Sequence, residues 1–303
     1  MIELLSIGSI SIDLYFLGKT LTYNNNRFQL AVGGKYLADN FHISIGGGGA
    51  NVAFGATYFN IRTGVMGVIG NNPFKSIILE EFKKRGISCR YCWFKDNYYN
   101  ISAILLNNVG ERSIIHYVTP HSHLFNDSHN LLGITKIKAV YLGNLPDVPF
   151  YQRLIFLRFL KKHRIKTFVN LGVKDCRRPT STLLPFLNAV DVLIINGHEF
   201  AELVKASYSD IHFKEDVVRW YLPIMTDQIV VITEGAKGSY AYYQNRVYHQ
   251  NAINVEKVID TTGAGDAYSA SFIATFLKTK SIEKSMLKGS HYAAKILQKI
   301  GAN

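Results

Sequence analysis

The sequence predicts a doubly wound α/β fold, in which helices cover both faces of a mostly parallel sheet and a small second β-sheet stands beside it. Short apolar runs rich in β-branched residues recur along the 303 residues, and most are separated by segments long enough for a helix. Continuous apolar strands that alternate with helices are typical of a parallel sheet buried on both faces. Residues 10–45 and about 91–118 break this alternation, because they show strand and turn patterns with no helix between them.

Six apolar runs are the predicted strands of the large sheet. In chain order they are ELLSIG at 3–8, GVMGVIG at 64–70, IKAVYLG at 137–143, KTFVNLG at 166–172, DVLIINGHE at 191–199 and QIVVITEG at 228–235. Predicted helices occupy intervening segments such as FYQRLIFLRFLKKH at 150–163 and FKEDVVRWYLP at 213–223. The length permits one large domain or two smaller ones, and no repeat or low-complexity linker divides the chain.

Composition excludes a disordered or fibrous chain. Hydrophobic residues make up 48% and charged residues 18%, which is typical of a globular protein with a sizeable core. No stretch approaches the ~20 apolar residues that a membrane span requires, so we expect a cytoplasmic protein. Cys89, Cys92 and Cys176 are an odd count that fits a reducing compartment, and zinc at Cys89 and Cys92 would lack a second pair of ligands.

The net charge of +12 comes from 34 Lys and Arg against 22 Asp and Glu, and it raises the question of nucleic-acid binding. The positive residues are scattered, with short clusters at 83–85 and 161–164 near predicted helix ends, where cations complement the helix dipole. Attraction of an anionic small molecule explains the excess equally well, and we do not expect a nucleic-acid partner.

Three glycine-rich stretches compete for a phosphate-binding role. GKT at 18–20 is not a P-loop, because Asp13 stands where that motif requires a glycine. GGGGAN at 46–51 does not complete a dinucleotide fingerprint, because Asn51 and Val52 occupy its closing position. The remaining stretch is VIDTTGAGDAYSASFIATFL at 258–277, in which glycines immediately precede a predicted helix.

Asp266 lies in the first turn of that helix. Unpaired N–H groups at a helix start attract an anion, and glycine allows a phosphate to approach the backbone closely. As an isolated feature, Asp266 could simply cap the helix. Beside a phosphate, however, a carboxylate is repelled unless a group such as a substrate hydroxyl lies between them. Asp266 would then accept the hydroxyl proton while the glycine N–H groups stabilise the transferred phosphoryl group.

DTTGAGDAYSASF at 260–272 resembles the C-terminal signature of the ribokinase-like (PfkB) family of sugar and nucleoside kinases. Further stretches match family motifs in order along nearly the whole chain: ISIDL at 10–14, GGGGANVAFGATYFNIRTGVMGVIGNN at 46–72, NGHEFAEL at 196–203, TEGAKGS at 233–239 and HYAAKILQKIGAN at 291–303. The resemblance implies one kinase domain over 1–303, with segments 10–45 and 91–118 forming a small β-sheet lid.

The resemblance also implies roles for individual residues. Asp13, Gly47 and Asn51 would hold the substrate hydroxyls, Asp266 would be the base, and Gly263, Ala264 and Gly265 would form the anion hole. Asn196, Thr233, Gly235 and Gly238 would bind ATP. Asn196 and Glu199 would hold Mg²⁺ through water, and Asp260 and Thr262 match a loop that binds a monovalent cation, K⁺, in many relatives. Asp13, Asn51 and Glu199 each have an alternative role, as a turn cap, a helix cap and a surface residue respectively.

The acceptor stays open between a sugar and a nucleoside. Gly48 replaces a lysine frequent in ribokinases, and YLGNLPD at 141–147 lacks the glutamate of ribose-specific members.

His116, His121, His123 and His129 are interpreted as a loop that packs on the substrate. The resemblance further implies a homodimer built through the lids. The alternative is a catalytically idle relative that binds a ligand, which the intact Asp266 and glycines disfavour.

Overall fold

The computed structural model describes residues 1–19, 21, 23–24, 27–107, 111–120, 133–222 and 227–302. The strands in these ranges are β1 (Leu4–Ile7), β2 (Ser11–Leu17), β3 (Tyr23–Asn24), β4 (Arg27–Phe28), β5 (Asn40–Gly46), β6 (Thr63–Met66), β7 (Val68–Asn71), β8 (Trp93–Asp96), β9 (Asn100–Leu106), β10 (Arg112–Val118), β11 (Ala139–Leu142), β12 (Lys166–Val169), β13 (Val192–Asn196), β14 (Ile229–Thr233), β15 (Ser239–Tyr243) and β16 (Arg246–Gln250). The helices are α1 (Gly48–Tyr58), α2 (Lys75–Lys84), α3 (Phe150–Lys162), α4 (Val173–Cys176), α5 (Thr180–Leu187), α6 (Gly197–Val204), α7 (Val217–Tyr221), α8 (Ala264–Thr279) and α9 (Ile282–Ile296).

The large sheet has eight strands in the order β16-β15-β14-β13-β12-β11-β1-β6. Strands β14 to β6 in this order run parallel, and β15 and β16 add an antiparallel edge. All four residues of β1, which lies next to the edge strand β6, are buried; three are apolar, and the Ser6 hydroxyl donates to the Gly49 carbonyl at 2.7 Å. The predicted doubly wound, mostly parallel sheet is confirmed.

Helices pack on both faces of this sheet. Successive strand residues point to opposite sides, so a strand whose residues are mostly apolar presents an apolar surface to each face. Leu5 and Ile7 of β1 join a core formed with α3, α5, α6 and α7. Leu4 joins the opposite core, formed with α1, α8 and α9. Within the described ranges, no helix has both the length and the apolar character of a membrane span.

One predicted strand, 64–70, is wrong as a single element. It is two strands, β6 in the large sheet and β7 paired with β8, separated at Gly67. A Cβ on Gly67 would come within 2.6 Å of the Gly8 carbonyl, so the close backbone approach at this break requires glycine. Apolar character alone does not reveal such a break.

The small sheet has the order β10-β9-β2-β5 and is antiparallel except for the β2/β9 pair. Its strands come from the two regions in which no helix was predicted. The start of the second region, 91–118, was predicted to belong to the small sheet but does not. Trp93 begins β8, which pairs with β7, and Trp93 packs against the core formed with α3, α5, α6 and α7. The small sheet takes up the chain only from Asn100, and Trp93 lies outside it.

The two faces of the small sheet differ in chemistry. One cross-strand row places Ser44, Asp13, Ser102 and His116 side by side. The opposite face is apolar, and its exposed members are Phe41, Ile43, Ile115 and Tyr117.

Candidate active site

Residues 260–265, which we call the anion loop, lead into α8 and include its first two residues, Ala264 and Gly265. Gly263 is the N-cap with φ of 73°, a left-handed conformation that favours glycine, and no side chain caps the helix. The Ala264 N–H makes only a long bond, 3.4 Å, to the Thr261 carbonyl. Because the first N–H groups of a helix have no partner within it, this uncapped turn can receive an anion.

Gly263 and Gly265 differ in what a side chain would meet. A Cβ on Gly263 would lie 2.1 Å from the Cβ of Ala302, so the C-terminal segment packs directly against this residue. A Cβ on Gly265 would meet nothing within 4 Å. Gly263 is therefore required by packing and backbone conformation, whereas Gly265 leaves space open beside the helix start.

Asp266 follows in the first turn of α8 and is held by a residue far away in sequence. The Asn51 amide Nδ2 on α1 donates to Asp266 Oδ2 at 2.8 Å. Burial raises the pKa of the Asp266 carboxyl above its ordinary value, and the hydrogen bond from Asn51 opposes this rise. The Asn51 amide oxygen is buried and has no partner among the described residues, so it can accept a bond from a ligand hydroxyl.

A first cavity of about 350 Å³ opens at Asp266. Segments that follow strands of the large sheet contribute residues to it, and the small sheet contributes Asn100, His116 and Val118. The other lining residues are Ser9, Gly48, Tyr141, Asn144, Leu145, Pro146, Asp147, Val148 and Asn170. Ligands of open α/β sheets bind beyond the carboxyl ends of the strands, which is where β1, β11 and β12 deliver Ser9, Asn144 and Asn170.

Asp13 is not among the residues that line this cavity. It is 6% exposed, accepts a bond from the Ser11 hydroxyl at 3.1 Å and shares its cross-strand row with His116. Burial raises the pKa of Asp13, while hydrogen bonds from Ser102 and Ser11 and the charge of His116 lower it. A Cβ on Gly46 would lie 1.9 Å from Asp13 Oδ2, so glycine at 46 admits this carboxylate.

Gly47 and Asn51 are also not among the residues that line the first cavity. Gly47 caps α1 with φ of 90°, and a Cβ there would lie 2.5 Å from the Ser9 carbonyl. Of the predicted substrate residues, Asn51 is the one hydrogen-bonded directly to Asp266. Asp13 is connected to the cavity through Ser102, which lies between Asp13 and the lining residue His116 in the same row.

A second cavity of about 530 Å³ is lined in part by the anion loop. Its wall brings together residues predicted for nucleotide binding and for the anion hole: Thr233, Gly235, Gly238, Ala264 and Gly265. The rest of the wall is largely apolar: Ala236, Ala252, Ile253, Asn254, Val255, Val258, Thr261, Tyr268, Ser290, Ala293, Ala294 and Leu297. An apolar cleft that ends at a helix start suits a ligand with a flat ring and a phosphate tail.

Gly235 and Gly238 shape this wall through their backbone. Their φ values are 54° and 94°, and a Cβ on Gly238 would lie 2.1 Å from the Gln250 carbonyl. The spacing T-x-G-x-x-G therefore reflects a tight turn between β14 and β15 as well as an open cleft.

Asn196 and Glu199 form a capping box at the start of α6. The Asn196 side chain accepts from the Glu199 N–H at 2.8 Å, and Glu199 Oε2 accepts from the Asn196 N–H at 2.9 Å. Burial raises the pKa of Glu199, and the negative charge of Asp266 raises it further, so the two carboxyls are within electrostatic reach of each other. Neither residue lines either cavity.

A hydrated Mg²⁺ fits this neighbourhood. Among the residues that the structure describes, no three His, Cys, Asp or Glu side chains cluster as direct metal ligands. Mg²⁺ usually retains several waters and is held by one or two carboxylates together with phosphates. Glu199 uses one carboxylate oxygen in the capping box, and its other oxygen can accept from such a water.

Asp260 and Thr262, the residues predicted for a monovalent cation, are both within the anion loop, and a third residue contacts Asp260. Arg112, at the start of β10, places its Nη1 3.3 Å from Asp260 Oδ1. Sequence reasoning missed this contact, because nothing local to Arg112 points to a partner beyond residue 250. It likewise missed Asn144 and Asn170, which only the neighbouring ends of β11 and β12 bring into the first cavity. His121, His123 and His129 lie outside the described residues.

Comparison with known proteins agrees with this geometry. The sequence profile of the family "pfkB family carbohydrate kinase" matches residues 1–303. The chain is 24% identical to 5-dehydro-2-deoxygluconokinase 2 of Bacillus cereus over 98% of this chain and 90% of the relative. It is 26% identical to probable fructokinase-5 of Arabidopsis thaliana over 78% of this chain and 75% of the relative.

Two solved structures share the fold over nearly their whole lengths. Arabidopsis thaliana ribokinase complexed with ribose and ATP has a TM-score of 0.80 and 22% identity, covering 99% of this chain and 94% of that one. Burkholderia thailandensis nucleoside kinase in complex with inosine has a TM-score of 0.76 and 18% identity, covering 99% and 92%. At these identities, the structural likeness establishes the fold, and the profile match over the full chain establishes the family. The chain belongs to the pfkB family of carbohydrate kinases.

Proposed function

We propose that this kinase transfers the γ-phosphoryl group of ATP to a hydroxymethyl group of an uncharged sugar or nucleoside, with Asp266 as the general base. One observation carries the proposal: Asp266 lines the first cavity, while Ala264 and Gly265, directly before it in the same helical turn, line the second. A hydroxyl in the first cavity and a phosphate at the helix start would therefore meet at Asp266.

The residues of this turn would divide the work of the reaction. Asp266 accepts the proton of the attacking hydroxyl, and Asn51 fixes the direction of its carboxylate. The free N–H groups at the start of α8 receive the charge that develops on the transferred phosphoryl group. Bound at Glu199 through water, Mg²⁺ would neutralise charge on the phosphates of ATP.

The second cavity is the proposed site of ATP. Its apolar wall, including Val255, Val258 and Leu297, suits a flat base such as adenine, and the anion loop lies at its end. The proposal agrees with the ribokinase complex with ribose and ATP, a protein that shares this fold.

The charges around the first cavity support an uncharged acceptor. Among the described residues that line it, Asp147 and Asp266 are acidic and none is lysine or arginine, while Asp13 adds a third carboxylate behind His116. Such surroundings repel a second phosphate or a carboxylate on the acceptor. Ribose and inosine, held by the two structural neighbours, are uncharged.

The small sheet is the proposed lid. Asn100, His116 and Val118 complete one wall of the first cavity, so closure of this sheet would exclude water that could otherwise accept the phosphoryl group. We further propose that its apolar outer face meets the same face of a second copy of the chain.

We assign the enzyme to the cytoplasm, since Cys89, Cys92 and Cys176 are free thiols.

A panel of acceptors tests the proposed function. Neutral sugars and nucleosides, sugar phosphates, and the sugar acid 5-dehydro-2-deoxygluconate are each assayed with ATP and Mg²⁺ for ADP release and for a phosphorylated product. We expect turnover with a neutral member and only background with the phosphates and the acid. Background ADP release with every member, together with ligand-induced thermal stabilisation, would instead favour the catalytically idle binding protein.

A further inference from the structure

Asp260 is a buried carboxylate that organises the anion loop. It is 1% exposed, and its Oδ1 accepts from the Thr262 N–H at 2.8 Å. Its Oδ2 accepts from the Gly301 N–H at 3.1 Å, which ties the loop to the C-terminal segment. Burial and the charge of Asp260 both raise the pKa of Tyr15, so the negative charge of this carboxylate extends to the small sheet.

Arg112 compensates this buried charge from outside the loop. Its Nη1 lies 3.3 Å from Asp260 Oδ1 and also donates to the Thr261 hydroxyl. The Arg112 side chain is only 28% exposed, so the pair is largely removed from water. A buried carboxylate without a cation is costly, and within the described part of the chain Arg112 is the cation that pairs with Asp260.

A monovalent cation does not fit beside this pair. The family resemblance implies K⁺ at Asp260 and Thr262, and the buried Thr262 hydroxyl, which has no partner among the described residues, would suit an ion. The guanidinium, however, already brings a full positive charge to Asp260 and is hydrogen-bonded to the adjacent Thr261. A second cation at the same carboxylate would be repelled at short range.

We propose that Arg112 is a built-in replacement for a monovalent cation. It neutralises Asp260 and fixes the anion loop in the conformation that receives phosphate, and it joins the first residue of β10 in the small sheet to that loop. Arg112 is thus a positioning residue that acts through Asp260 and Thr261. This inference rests on the proposed function in one respect, namely that the anion loop binds the phosphates of ATP.

The test compares salts as well as variants. Wild type, Arg112→Ala, Arg112→Lys and the control Arg62→Ala are measured in KCl and in tetramethylammonium chloride at equal ionic strength. The control removes a surface ion pair of similar length, Arg62 to Glu3 at 3.2 Å, with Arg62 66% exposed. The readouts are the affinity for N-methylanthraniloyl-ATP, measured by fluorescence without any acceptor, and the melting temperature; kcat is added once an acceptor is known.

We expect wild type and Arg62→Ala to give the same values in both salts. Arg112→Ala should bind the nucleotide about 10-fold more weakly in tetramethylammonium chloride, because the loop loses its fixed cation. KCl, or guanidinium chloride at millimolar concentration, should restore part of the lost affinity, and KCl should also raise the melting temperature of the variant, since an ion that binds the folded state stabilises it. Arg112→Lys keeps the charge and should stay insensitive to the choice of salt.

Two outcomes would overturn the proposal. Wild type that loses most of its nucleotide affinity or thermal stability in tetramethylammonium chloride would require a monovalent cation in addition to Arg112. Arg112→Ala that behaves alike in both salts, with unchanged affinity, would leave Arg112 no role at the loop. If Arg112→Ala does not fold, the response of wild type and of Arg112→Lys to K⁺ still tests the proposal. Failure of every acceptor would count against the proposed function and leave these salt comparisons valid.

Discussion

Asn51 lowers the proton affinity that burial gives to Asp266. Its amide donates to the carboxylate at 2.8 Å, a bond that stabilises the charged form and opposes the rise in pKa caused by burial. A general base must be ionised, so kcat/KM should rise with pH along an acid limb whose midpoint lies above the ordinary carboxyl range. In Asn51→Ala the pKa of Asp266 should rise further, which moves this limb to higher pH. A pH–rate profile measures the shift, and a limb that stays in place would separate Asn51 from the ionisation of Asp266.

Gly265 and Gly263 should respond differently to the same substitution. Gly265→Val places its side chain in open space beside the helix start, so the protein should keep its melting temperature and its acceptor affinity while nucleotide affinity falls by about 10-fold or more. Gly263→Val meets Ala302 and forces a positive φ, so it should destabilise the fold by roughly 1–3 kcal/mol. Thermal unfolding and nucleotide titration of both variants make the comparison. Equal losses of stability would show that both glycines serve the fold.

At the scale of residues, the sequence predicts which residues belong to the candidate site better than it predicts which residues they contact. Asp266 and the anion loop follow from glycines beside a helix start, which is a local property of the chain. The bond between Asn51 and Asp266 spans 215 residues and depends on how α1 packs beside α8. Arg112 lacks any local signal, because its partners are brought to it by the docking of the small sheet.

At the scale of elements, local spacing can predict two roles at once. N-x-x-E at 196–199 is both the family's motif and the spacing of a capping box, and the structure contains the box. The large sheet was predictable because fully buried strands are continuous apolar runs. The division of 64–70 at Gly67 was not, because it depends on the nearby Gly8 backbone.

Glu199→Gln separates the two roles of this motif. The amide oxygen of glutamine can still accept from the Asn196 N–H, so the helix cap and the melting temperature should change little. Loss of the charge should weaken the binding of a hydrated Mg²⁺. The Mg²⁺ concentration for half-maximal activity should therefore rise about 10-fold, which corresponds to the loss of one charge-assisted hydrogen bond. A Mg²⁺ titration of activity gives the answer. An unchanged Mg²⁺ response would leave Glu199 as a helix cap only.

At the scale of the whole molecule, the outer face of the small sheet predicts association. Ile115 on this face is 65% exposed and shares β10 with Tyr117, while Phe41 and Ile43 lie on β5 at the opposite edge of the same face. Light scattering at micromolar concentration should give twice the 34.1 kDa of one chain, and Ile115→Glu should return the mass to one chain. Ile155→Glu is the matched control, since Ile155 is 60% exposed on α3 and should leave the dimer intact. Wild type at the mass of one chain would contradict the dimer.

The central claim is that Asp266 is the base of phosphoryl transfer, and the turnover of Asp266→Asn tests it most directly. The variant should fold and bind nucleotide as wild type does. Because ionised Asp266 is costly in its buried position, the variant should also be at least as stable at neutral pH. With the best acceptor from the panel, kcat should fall about 10²- to 10⁴-fold, the range expected for removal of a general base. A variant that turns over at the wild-type rate would contradict the claim.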